Sequence, residues 1–284
     1  MPEWEGQALK GKSILVFDEQ GLGDAIQFVR FCLELTGLGA DVSFFCRKGL
    51  HRLFNGLTRP LRLVDDIAPG EHFDYRIALC SLPRALRTRA DTIPAKTPYL
   101  SAEPPLVAKW AARLGPQGFK VGICWRGSAN PKADPGRALP RAAVEALTMD
   151  GVRLVSLQKP DDLPPGDRAG AAWLEHMGPD FDACADSFVD TAALMQSLDL
   201  IVTCDTSIAH LAGALGRPVF VLLPQVADWR WLLDRADCPW YPSMRLIRQS
   251  QRGEWSEPMS RAAEAIQNLS RENLSRAWSP PECN

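Results

Sequence analysis

The stretch from Leu200 to Pro224 limits most tightly how this chain can fold. Leu200–Thr203 is a run of strand-forming residues, and Val219–Leu223 is a second, wholly apolar run. Both suit strands covered on two faces, as in a parallel sheet. Between them Asp205 and Thr206 offer oxygens that cap a helix, Leu211 and Leu215 recur on one face, and Gly216 stands where the helix ends. Pro218 keeps the helix from resuming. The order is strand, turn, helix, strand, with a polar cluster at the helix start. Uncapped N–H groups and the positive end of the helix dipole favour an anion there, such as a diphosphate.

The same alternation recurs along the chain. Ser13–Phe17 predicts a buried strand, the turn 19–24 follows, and a helix is expected from about Ala25 to Thr36. Val42–Cys46 predicts the next strand, and Leu61–Val64 and Tyr75–Leu79 give weaker signals. Residues 91–105 are proline-rich and aperiodic, which marks a linker before a helix over Leu106–Leu114. The second half opens on the strand Lys120–Trp125 and a polar loop from Arg126 to Arg137. A helix over Arg141–Leu147, a strand over Arg153–Leu157, a loop at 160–167 and a helix over Ala192–Leu198 capped by Thr191 follow. Met259–Leu269 predicts a last amphipathic helix, with a loose tail over Asn273–Asn284. The expected fold class is α/β, with two Rossmann-like, doubly wound domains at 1–115 and 116–258 and a C-terminal helix and tail at 259–284. Right-handed crossovers bring the strand-end loops of each domain to one edge, and two such edges face each other across a cleft.

Bulk properties remove several classes of function. A net charge of −2 gives no basic footprint for nucleic acid. The eight cysteines form no C-x-x-C pair and the four histidines show no ligand spacing, so reduced thiols and no metal site are expected. No apolar run approaches the roughly 20 residues of a membrane helix. No transmembrane segment and a cytoplasmic location are therefore expected.

Several side chains could carry chemistry. The GLGDAI run at 21–26 has Ile26 in place of the third glycine of a dinucleotide fingerprint, and Arg47-Lys48 rather than an acid follow the second strand. Gly21 and Gly23 instead suit a tight turn that sets Asp24 at a helix start facing the cleft. Asp24 can take a proton from a hydroxyl there, or simply cap the helix. Arg126, Lys132 and Arg137 can neutralise a departing diphosphate, or be an ordinary solvated loop. Gln158 and Lys159 end a strand where they can meet a nucleoside. His210 shares a helix face with Thr206, fit either to donate to a phosphate or to pack beneath the loop. Asp180-Phe181-Asp182 has the D-x-D form of a metal-binding pattern but lacks the preceding strand. Trp229, Trp231, Trp240 and Tyr241 suit a sugar platform or, better, a core between domains.

Five segments occurring in order carry a resemblance: EQGLGDAIQFVRF (19–31), VGICWRGSANPKADPGRALP (121–140), LVSLQK (154–159), FVDTAALMQSLDLIVTCDTSIAHLAGALGRPV (188–219) and DWRWLLDRADCPWYPSMRL (228–246). Together they resemble the glycosyltransferase domain that often follows tetratricopeptide repeats in bacterial proteins, related to the ADP-heptose:lipopolysaccharide heptosyltransferases. The resemblance implies a GT-B architecture. It also implies metal-independent, inverting transfer from a nucleotide-diphospho-sugar to a hydroxyl of a glycan, a lipid-linked sugar or a protein, without a cofactor. On it, Asp24 takes the position of the candidate base. Asp205, Thr206, Ser207 and His210 match the diphosphate motif, Lys132 and Arg137 the basic loop, and Gln158 and Lys159 the nucleoside side. A nucleotide-sugar-binding or scaffold domain without catalysis and a sugar-nucleotide epimerase are the alternatives. Ser207 and Ile208 stand where heptosyltransferases often carry a glycine and another small or apolar residue, and the first domain is short for that group.

Overall fold

The computed structural model describes residues 1–127, 136–159 and 172–277. The first sheet contains β1 (Ser13–Phe17), β2 (Asp41–Phe45), β3 (Arg62–Val64) and β4 (Tyr75–Ala78) in the order β3-β2-β1-β4. The second contains β5 (Phe119–Cys124), β6 (Val152–Ser156), β7 (Leu174–Glu175), β8 (Leu200–Cys204), β9 (Val219–Leu223) and β10 (Met244–Arg248). Their order is β10-β9-β8-β5-β6-β7. Every pairing between these strands is parallel. β8 and β9 are buried at every residue, as their continuous apolar runs require.

Among the described residues eight α-helices connect and cover the strands: α1 (Leu22–Gly37), α2 (His51–Phe54), α3 (Leu82–Ala85), α4 (Pro104–Leu114), α5 (Arg141–Glu145), α6 (Val189–Met195), α7 (Ser207–Ala214) and α8 (Ser256–Ala277). The second sheet winds outward in one direction from β5 and in the other from β8. The first reverses between β1 and β4. At such reversals the loops after two neighbouring strands leave toward opposite faces and open a crevice at the strands' C-terminal ends. The expected pair of doubly wound α/β layers is present.

The layers share one apolar core. A single cluster runs from Ile14 and Val16 of β1 through Phe28 and Phe31 of α1 to Val221 and Leu223 of β9, Trp231 and Tyr241. Arg30 of α1 is buried within it and donates to the carbonyl of Trp240 (2.7 Å) and to the hydroxyl of Tyr99 (3.0 Å). Its guanidinium also lies 4.5 Å from the ring centre of Tyr241. The far face of the second sheet is covered by Met259, Ala262 and Ile266 of α8. Although α4 follows the proline-rich linker directly, it packs on α6, where the Trp110 indole donates to Asp190 (2.6 Å).

Several elements depart from the sequence expectations: α1 starts at Leu22 rather than Ala25, and the short α2, α3 and β7 were not expected. α6 starts at Val189, and Thr191 lies inside it: the backbone N–H groups of Asp190 (3.2 Å) and Thr191 (3.3 Å) donate to Asp182, which caps the turn from a distance. α8 starts at Ser256 and stays helical to Ala277, so residues 273–277 are not a tail. β10 has no counterpart in the sequence reading, because its Met-Arg-Leu-Ile-Arg pattern is short and follows a stretch read only for its aromatics. The seven described cysteines are free thiols, and Cys283 lies outside the described residues.

Candidate functional site

Loops following β1, β2, β5, β6 and β8 converge on one cleft of about 540 Å3, large enough for a nucleotide-sized ligand. The crevices of both sheets open into it. Among the described residues its wall carries the cations Arg47, Arg126, Arg137, Lys159 and Arg230 against the acids Asp24 and Asp205. An excess of positive charge in a concave site suits a ligand with two phosphates.

The start of α7 forms one wall. Thr206 is its N-cap, and its hydroxyl accepts from the Ile208 N–H (3.3 Å) while meeting the Thr203 hydroxyl (3.0 Å). Ser207 is the first helical residue and lines the cleft. Asp205 is only 6% exposed, and burial pushes its carboxyl above the usual range. Arg137 opposes that shift from 3.6 Å, as does the Trp231 indole. The Asp205–Arg137 pair sets the Arg137 guanidinium beside the helix start. His210 lies one turn into α7, stacked on Trp231 with ring centres 5.4 Å apart and planes 12° from parallel. Its Nδ1 pairs with the Tyr241 hydroxyl at 3.1 Å. Burial holds the imidazole well below its ordinary pKa, and the charges of Arg230 and Arg30 act in the same direction.

The start of α1 forms the opposite wall. Gly21 is the N-cap, and its N–H donates to Asp24 Oδ2 (2.9 Å). Asp24 Oδ1 accepts from Arg230 Nη2. The carboxylate thus caps its helix and also faces the cleft. Gly23 serves close approach: a Cβ there would stand 3.2 Å from both the Ser207 Cα and the His210 ring. The two helix starts meet at that point, which brings Asp24 and the 205–210 segment into one site.

Gln158 ties together the loops after β5 and β6. Its Oε1 accepts from the Arg126 N–H (3.0 Å) and from the Cys124 thiol (3.5 Å). Lys159 lines the cleft with its ammonium 6.0 Å from the ring centre of Phe188. Lys132 lies outside the described residues.

Asp180 pairs with Arg113 (2.6 Å) and Lys109 (3.2 Å), and Asp182 caps α6. Both acids of the D-x-D are thereby engaged in packing the helices. Trp231, Trp240 and Tyr241 are buried between the layers, whereas Trp229 is 60% exposed and packs against Phe28 and Trp240. Arg230, between two of these tryptophans, and Arg47 are cleft residues that sequence reasoning missed. Arg47 was legible only as an argument against a dinucleotide site. Arg230 sat in a segment whose aromatics drew the reading.

Comparison with known proteins bears on the fold and on the segment that carries α7. The family described as glycosyltransferase family 9 (heptosyltransferase) matches residues 184–251, the span of α6, β8, α7, β9, Arg230 and β10. Protein FlbA of Caulobacter vibrioides is 30% identical over 293 residues, covering 94% of this chain and 48% of FlbA. The chain thus spans about half the length of that curated relative. Among solved structures, the glycosyl transferase family 9 protein of Veillonella parvula is similar with a TM-score of 0.65 at 14% identity. That likeness covers 94% of this chain and 99% of the other. E. coli ADP-heptose LPS heptosyltransferase II is similar with a TM-score of 0.61 at 13% identity, covering 92% and 99% respectively. The fold is that of the GT-B heptosyltransferases. The family 9 segment and these neighbours support a glycosyltransferase.

Proposed function

We propose that this chain transfers a sugar from a nucleotide-diphospho-sugar to an acceptor hydroxyl, inverting the anomeric carbon and using no metal ion. The observation that carries the reading is the meeting of two helix starts in a cationic cleft, one bearing Asp24 and the other Thr206 and Ser207. The diphosphate lies against the start of α7, with Arg137 and Arg230 opposite its charge. Lys132 and Lys159 belong to the same basic set, and Gln158 borders the nucleoside. An acceptor hydroxyl approaches from the first sheet and gives its proton to Asp24 as its oxygen bonds to the anomeric carbon. The bond from that carbon to the diphosphate breaks on the opposite side, and the diphosphate leaves with the electron pair. Preorganised cations and helix dipoles at the leaving group provide the main acceleration.

The acceptor is a glycan, lipid-linked sugar or protein, and the setting is the cytoplasm, where such donors are made. ADP-sugars are the first donors to try, by analogy with the E. coli neighbour's name. Kinship with the domains that follow tetratricopeptide repeats is part of the same proposal.

A thermal-shift series with ADP, GDP, UDP, CDP and dTDP, run with and without EDTA, tests the donor site. A nucleotide at 100 times its Kd stabilises by about 2.7 kcal/mol. One of the five should raise the midpoint, EDTA should leave that shift intact, and no shift with any of them refutes the reading. Asp24→Asn should lower transfer by about 10²–10⁴-fold while nucleotide binding survives. The engagement of both Asp24 oxygens favours a second reading, a domain that binds nucleotide-sugars without turnover. Binding without transfer across a broad acceptor panel would establish it.

A further inference from the structure

Arg230 holds an unusual position for a cation beside a phosphate site. It is 16% exposed in its side chain, and each of its nitrogens is directed at an acceptor. Nε donates to Gln27 Oε1 (2.8 Å), Nη1 to Asp228 Oδ1 (2.8 Å), and Nη2 to Asp24 Oδ1. Gln27 and Asp24 belong to α1, whereas Asp228 belongs to the segment that carries Arg230 itself. The rings of Trp229 and Phe28 lie 5.1 and 5.7 Å from the guanidinium carbon. Asp24 meanwhile accepts from the Gly21 N–H through its other oxygen (2.9 Å). Both oxygens of the candidate base thus accept a hydrogen bond, and the one to Arg230 ties Oδ1 to a guanidinium that also borders the cleft.

The same guanidinium borders the cleft with Ser207 and His210 at the start of α7. A diphosphate arriving there brings at least two negative charges into a partly desolvated site. Guanidinium pairs with phosphate bidentately, and such charge-assisted bonds are among the strongest available to it. The donor therefore competes with Asp24 for Nη2. Asp228, a neighbour in sequence, anchors the guanidinium through either state.

We infer that Arg230 is shared between Asp24 and the donor diphosphate: it holds the carboxylate until donor binds, then turns to the phosphates and releases Asp24 toward the acceptor. The inference rests on the donor reading above and adds an order to it. Proton acceptance by Asp24 follows donor arrival, when Arg230 no longer holds Oδ1.

A thermodynamic cycle on nucleoside diphosphate affinity tests this without relying on turnover. Isothermal titration is run with the nucleotide that shifts the wild type most, on wild type, Asp24→Asn, Arg230→Gln and the double variant. Asparagine keeps the oxygen that caps Gly21 but weakens the hold on Arg230, so Asp24→Asn should tighten binding about 3–10-fold. Arg230→Gln should weaken it by about 10-fold or more, and adding Asp24→Asn in that background should change nothing further. Simple charge repulsion between Asp24 and the phosphates would give equal tightening in both backgrounds, and that result overturns the inference. So does unchanged or weaker binding by Asp24→Asn. Arg230→Lys, which keeps the charge, serves as the background should the glutamine variant fail to fold; the tightening should then be smaller than in wild type. Failure of the wild type to bind any nucleotide overturns the donor reading itself, whereas binding without coupling overturns only the sharing of Arg230.

Discussion

His210 and Asp205 set how the cleft wall responds to pH. The imidazole is buried against Trp231 and its pKa is held well below 6.5, so the native protein keeps it neutral where the unfolded chain takes up a proton. The unfolded state then binds more protons below about pH 6.5, and the contribution of His210 is present above that value and lost as pH falls. Asp205 has the opposite sign, since its raised carboxyl favours the native state as it protonates. Replacing His210 with Gln should flatten the loss of stability between pH 7 and pH 5, by up to about 1.4 kcal/mol per pH unit below 6.5. Denaturant titrations at several pH values read this directly, and parallel curves for the two proteins would show that His210 titrates normally. At this scale the sequence was legible where partners are close along the chain. Asp24 could be placed at a helix start because it caps Gly21 three residues away. Its pairing with Arg230 was not legible, because 206 positions separate them.

The approach of α1 to α7 controls the site as a unit. Gly23 makes room for Ser207 and His210, and Gly213 makes room for the ring of Tyr241, which lies across the α7 backbone. A methyl at 213 would fall inside van der Waals contact with that ring. Gly213→Ala should therefore cost about 1–3 kcal/mol through overpacking, although alanine is intrinsically the better helix former. Denaturant unfolding should show a lower midpoint at unchanged slope, and a variant as stable as wild type would mean that the ring can move aside. Strands and the longer helices were readable from periodicity, and their cores fell within a few residues of expectation. α6 was placed three residues late because its cap, Asp182, lies outside the local pattern in which Thr191 looked like the start. β10 is a short edge strand whose Met-Arg-Leu-Ile-Arg run breaks strict alternation, and nothing local separates such a strand from a loop.

The whole molecule is held as one body by a core that passes between the sheets. Arg30 is its polar pin, buried without a carboxylate and satisfied by the carbonyl oxygens of Gln27, Pro94 and Trp240 and by the Tyr99 hydroxyl. Replacing it with Met keeps the stem but leaves those carbonyls short of a donor, at a cost of about 3 kcal/mol. Because the core is shared, calorimetry should show a single transition for wild type and for Arg30→Met, with a lower midpoint in the variant. Two resolved transitions would show that the layers unfold separately. The sequence by itself determined the α/β alternation, the strand cores and the helix start at 205–207, because these depend on neighbours within a few residues. Tertiary structure alone decided that Gly23 is a contact, that Arg230 holds Asp24 and that Trp229 is the one of the four aromatics left exposed. Those outcomes depend on which loops the strand order brings to the two crevices, and contacts between residues about 200 positions apart leave no periodic or capping signal in the chain.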